Sequence, residues 1–328
     1  MSAARKRQNA SGGVAGDEPE VGVSKEAPAG PGKSHGPPPK DSVLRLGLVL
    51  ATIATLDVAM LRYYMSSASD ASLDTLKSAS SIMEVLQILD VDVDERDVTG
   101  GGSKILLTTR VLSTILAVAI AVNIYVTNDY PKVRSNFGEI VHIKRWKRYT
   151  TFTVWSWTML TFYFLFSIFY SLNVEPFGSH SRWMPVVFEV CFSSALMVTL
   201  VVHFVLMPTA RRKDPYRYAR LSNWRALTMH YANLLMMLVE ATLSGLPMVS
   251  RHWIFMLCYA NVYVSFALFW FKMMGIFYYF FMDYTRFAWA PLAYAGLVGV
   301  MYIVWVACTF FVEAIDIYVR PVLISTIA

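Results

Sequence analysis

The chain has 328 residues, 55% of them hydrophobic and 14% aromatic, and its mean hydropathy is positive. That composition excludes an ordinary soluble domain and points to a polytopic membrane protein. The net charge is +6, but the basic residues cluster in short loops between apolar runs, where they act as topology signals and imply no nucleic-acid partner.

Residues 1–42, which include PAGPGKSHGPPPK, hold no apolar run. Such a segment cannot bury enough surface to offset its ordering entropy, so a disordered cytosolic tail is expected. The first apolar run begins near Val43, which argues against a secretory signal peptide. Ser2 stands where N-myristoylation needs glycine.

Seven apolar runs approach or reach the ~20 residues of a bilayer span: 43–64, 105–127, 150–172, 184–207, 226–248, 253–281 and 291–313. The expected fold is therefore all-α, a polytopic transmembrane helix bundle of about seven spans. The first span, 43–64, is followed by an acidic loop, 65–104, then a six-helix core over 105–313 and a short C-terminal tail, 314–328. Within the acidic loop, SLDTLKSASSIMEVLQILD has helical spacing and predicts a short surface helix. Its DVDVDERD stretch lacks the glycine and closing glutamate of a calcium-binding loop. Cys191, Cys258 and Cys308 fall in apolar segments without CxxC spacing, which supports neither a disulfide framework nor a metal site. No cofactor is implied.

Orientation follows from Lys and Arg near the span ends. The N-terminal flank, the loops KVRSNFGEIVHIKRWKR and ARRKDPYRYARLSNWR, and Lys272 with Arg286 contribute sixteen on one side, against six on the other. A cytosolic N-terminus is expected, in an endoplasmic-reticulum, other endomembrane or plasma membrane.

The fifth run, WRALTMHYANLLMMLVE, carries His230, Asn233 and Glu240. At ~100° per residue, Asn233 and Glu240 lie near 300° and 280° from His230, so the three share one stripe. Ionisable residues within a membrane helix need a partner or a wet cavity; alternatively the stripe only glues helices together. By the same arithmetic Glu189 and His203 return to one face and could join it. Arg110 and Lys272 lie near span ends and are expected to snorkel. Asp57 and Asn261 are expected to hydrogen-bond between helices.

The third run opens YTTFTVWSW, with Thr150, Thr151 and Thr153 in its first turn. Thr153 and His230 are expected at similar depth, on helices that start from the same basic face. A hydroxyl within reach of an imidazole is the minimum for attack on an ester, with Asn233 available to fix the histidine tautomer. Threonines in membrane helices also commonly bond their own backbone.

Two motifs, W-x4-M-H-x9-E (Trp224, Met229, His230, Glu240) and T-V-W-S-x6-Y-F (Thr153, Val154, Trp155, Ser156, Tyr163, Phe164), resemble those of the androgen-induced, FAR/AIG-type family of multi-pass membrane proteins. The resemblance covers about residues 105–313. It implies a threonine hydrolase of lipid esters, such as fatty acid esters of hydroxy fatty acids, with Thr153 as nucleophile and His230 as base. Thr150 and Thr151 are rival nucleophiles. Asn233, Glu240, Trp155 and Tyr231 are candidates for orienting or contacting substrate. The chain departs from the family at Leu227, where those members carry a second histidine, and in its added N-terminal span. The alternative is a non-enzymatic lipid or ion carrier, with Glu189–His203 and His230–Glu240 as a proton relay, or a scaffold.

Overall fold

The computed structural model describes residues 41–67, 104–127, 132–174 and 183–327. The tail up to residue 40, the helix expected within 65–104 and the DVDVDERD stretch lie outside the described residues.

The long helices are α1 (Ser42–Ser67), α2 (Lys104–Val126), α3 (Phe152–Ser171), α4 (Trp183–Lys213), α6 (residues 224–244), α7 (Trp253–Met274) and α8 (residues 290–327). A short helix, α5 (Pro215–Leu221), separates α4 from α6. Among the described residues, six helices are long and apolar enough to cross a bilayer: α1, α2, α3, α4, α7 and α8. The chain is thus an integral membrane protein with an all-α, polytopic architecture. The seventh expected span is α6. It is a long helix of the bundle, but Arg225, His230, Asn233 and Glu240 make it less apolar than the other six.

Local sequence explains where several helices begin and end. Thr151, in extended conformation, caps α3 by accepting from the Val154 N–H. Asp214 caps α5, with Pro215 in its first turn, and Asn223 caps α6. Side-chain oxygens at this position satisfy amides that have no partner in the helix. Gly245 and Gly275 end α6 and α7 in the left-handed region, at φ 72° and 65°, which glycine enters without a Cβ penalty.

α4 lies at the centre, packed against α3, α6, α7 and α8, while α1 rests on the outside against α8 and α7. Within their apolar windows, 56% of α4 is buried but only 6% of α1. The main core joins Trp157, Tyr163, Phe188, Phe192, Met237 and Trp305. Asp57 and Asn261 do bond between helices, and they bond to each other: Asn261 of α7 donates to Asp57 of α1 at 2.8 Å.

Three details depart from expectation. The basic loop before α3 contains an antiparallel ribbon, β1 (Lys132–Arg134) with β2 (Ile140–His142), in which Val133 faces Val141. Its turn docks on the end of α7: the Asn136 N–H donates to the Gly275 carbonyl at 2.7 Å, and the Ser135 hydroxyl to that of Met274 at 2.8 Å. The expected tail at 314–328 is instead helix as far as Ile327. Arg320 pairs with Asp316 one turn earlier and donates to the Ala241 carbonyl, which ties the extension to α6. Finally, π-turns interrupt α4 at Val201–Leu206, α6 at Thr228–Ala232 and α8 at Ile315–Val319. π-turns are rare and often accompany functional positions.

Candidate functional site

His230 sits within the π-turn of α6. Its carbonyl accepts from the Thr199 hydroxyl of α4 at 2.7 Å, so a neighbouring helix supplies a donor where the regular ladder is disturbed. The imidazole is 5% exposed, and its Nδ1 has no hydrogen-bond partner among the described residues. A buried, unpaired ring nitrogen is costly, and here it borders a cavity of about 450 Å³.

Thr153 lines the same cavity. It lies in the first turn of α3, 8% exposed, and lines the cavity together with Tyr279. Tyr279 also accepts from the Phe152 N–H at 3.1 Å, so the phenol fixes the beginning of α3. The two rival threonines are otherwise engaged. Thr150 donates to the Lys147 carbonyl and lies 2.7 Å from the Tyr278 hydroxyl. Thr151 caps the helix, although it touches the cavity too.

Thr153, Leu206 and Tyr279 also line a second, narrow pocket of about 80 Å³, walled by residues such as Val198, Val202 and Tyr263. The threonine therefore stands where an apolar pocket meets a polar one. The polar cavity is lined by Arg148, Arg217, Arg220 and Arg225 against a single carboxylate, Asp214. Burial pushes the Arg217 guanidinium below its usual basicity; Asp214 opposes this and Arg220 adds to it. Burial likewise raises the phenols of Tyr278 and Tyr279.

The other expected site residues lie elsewhere. Asn233 is buried beside His230 in sequence, but its Oδ1 accepts from the Leu234 N–H at 2.7 Å, and it does not line the cavity. Glu240 is fully buried, accepting from Arg110 Nε at 3.0 Å and from the Tyr163 hydroxyl at 2.8 Å. Arg110 does not snorkel; its guanidinium is 1% exposed and held in this pair. Trp155 donates from its indole to the Tyr149 carbonyl and packs on Tyr263 and Phe266. The Tyr231 hydroxyl lies 3.0 Å from Nδ1 of the exposed His203.

Neither proposed relay pair forms. Glu189 receives the Val249 N–H at 2.6 Å and faces His252 Nδ1 at 2.8 Å. Shared azimuth misled here because fourteen residues also advance ~21 Å along the axis. The π-turn holding His203 shifts the helical phase as well.

Sequence reasoning missed Arg217, Tyr278 and Tyr279. A usable signal was present: Asp214–Pro215 reads as a helix start, which places Arg217 and Arg220 three residues apart on one face. Comparison of the chain with protein-family models, with characterised proteins and with solved structures returns no match. The family resemblance rests on the motif residues themselves.

Proposed function

We propose that the protein is a membrane hydrolase of lipid esters, with Thr153 as nucleophile and His230 as general base. The observation that carries this reading is the shared cavity: a buried hydroxyl and a buried, unpaired imidazole from two helices border one space, next to an apolar pocket. The family resemblance points to the same two residues and to substrates such as fatty acid esters of hydroxy fatty acids.

In this mechanism the Thr153 oxygen bonds to the ester carbonyl carbon while His230 takes the hydroxyl proton. The carbon–oxygen bond to the alcohol breaks, and His230 returns the proton to the departing alkoxide. Water, deprotonated by the same imidazole, then bonds to the acyl carbon; the bond to the Thr153 oxygen breaks, the fatty acid leaves and His230 returns its proton to that oxygen. The Tyr279 hydroxyl, which lines both pockets together with Thr153, is the donor assigned to the developing oxyanion. The distribution of Lys and Arg supports a cytosolic N-terminus and a cavity that opens on the cytosolic side of an endomembrane or plasma membrane.

The test is covalent labelling with a lipophilic fluorophosphonate on the full chain in detergent. Labelling of the wild type that disappears in both Thr153→Ala and His230→Ala is expected. An unlabelled wild type, or label retained without Thr153, overturns the assignment and leaves a carrier or scaffold.

A further inference from the structure

We propose that the large cavity is a binding site for the phosphate head group of an amphiphile, held by the arginines that line it: Arg217, Arg220 and Arg225, together with Arg148. Basic loops beside membrane helices are ordinarily topology signals, and Arg211 and Arg212 fit that description: both are exposed and neither borders the cavity. Arg217 and Arg225 differ. They come from α5 and α6, are half-buried, and line one cavity together with Arg148 from the segment before α3.

Guanidinium groups drawn together and partly desolvated need anions nearby. Among the described residues, no carboxylate lies within ion-pair reach of Arg217, Arg220 or Arg225; the nearby Asp214 instead accepts from the Arg217 backbone N–H at 2.9 Å. Arg217 is held in place by donating to the Tyr278 carbonyl at 2.8 Å. Burial works against its charge, Asp214 offsets part of this and the neighbouring Arg220 adds to it; an incoming anion would relieve the remaining cost.

The number of arginines selects the anion. A carboxylate is satisfied by one bidentate guanidinium. A phosphate monoester carries about −1.5 to −2 charge and three acceptor oxygens, which suits several arginines in a fork geometry. The adjoining apolar pocket, shared through Thr153, Leu206 and Tyr279, selects a phosphate that bears an acyl chain over the free ion. This site goes beyond the hydrolase reading, and it stands or falls apart from it: binding needs no acylation of Thr153.

The experiment measures binding to the purified full chain in detergent, by calorimetry and thermal shift, with four probes. These are dioctanoyl phosphatidic acid, dioctanoyl phosphatidylcholine, octanoate and inorganic phosphate. Phosphatidic acid is expected to bind at least tenfold tighter than the other three. Arg220→Gln, at an exposed position that should leave folding intact, and Arg225→Gln should each weaken it severalfold. The double variant Arg211→Gln/Arg212→Gln should not. Equal affinity for octanoate, equal affinity for inorganic phosphate, or equal weakening by the 211/212 control would each overturn the proposal. Fluorophosphonate labelling of the same samples reports separately on Thr153.

Discussion

Arg110 on α2 and Glu240 on α6 form an ion pair inside the bundle, with Nε and Nη2 of the arginine 3.0 and 2.5 Å from one carboxylate oxygen. The Tyr163 hydroxyl donates to the same oxygen, and Arg110 also donates to the Ser167 carbonyl. Three helices are thereby joined through groups that the membrane interior would otherwise exclude.

Removing one member leaves a buried charge without its partner. Glu240→Ala should lower stability by ~3–5 kcal/mol, measured as thermal unfolding in detergent. The paired replacement Arg110→Met/Glu240→Leu should recover much of that loss. A double variant no better than the single would show that the pair is not the unit that matters.

Gly275 ends α7 at φ 65°, and a Cβ there would meet the Ser135 hydroxyl and come within 2.9 Å of the Phe137 ring. Gly275→Ala should therefore cost at least the ~1–2 kcal/mol of the left-handed conformation and loosen the ribbon that docks there. Faster amide exchange at Asn136, with a lowered melting midpoint, is the expected readout.

The three threonines before and within α3 separate by role. Thr151→Ala removes a helix cap and should cost about 1 kcal/mol while leaving fluorophosphonate labelling in place. Thr150→Ala disturbs the contact with Tyr278 and should also retain label. Only Thr153→Ala should abolish it.

Tyr279 makes the stability of the site sensitive to alkali. Burial holds its phenol above the usual value of 10.0, so the folded state keeps a proton that the unfolded state releases. Its contribution is fully present below pH 10 and is lost as pH rises through the folded value. Unfolding followed from pH 8 to 11 should show a steeper loss in wild type than in Tyr279→Phe. Parallel curves would mean that Tyr279 does not titrate between the two states.

The chain order of polar and apolar residues was enough to specify an all-α membrane protein, because each run of about twenty apolar residues must satisfy its backbone internally. It also singled out His230 and Thr153 as candidate site residues, and Asp57 and Asn261 as residues that bond between helices, without showing that the last two bond to each other. Depth and phase were beyond it. Glu189 and His203 share an azimuth on a regular helix, yet axial rise and a π-turn send one to His252 and the other to the exposed face. Arg110 looked like a snorkelling end residue because Glu240, 130 residues away in sequence, could not be seen as its partner.

What the sequence alone determined is the class of solvent each segment occupies, since transfer free energy depends on local composition. What only the tertiary structure decided is which polar groups meet. Tyr279 in one cavity with Thr153, the arginines around that cavity and an imidazole Nδ1 without a partner among the described residues all depend on segments from distant parts of the chain. Hydrogen bonds and ion pairs act over a few ångströms, a scale that no periodicity in the chain encodes.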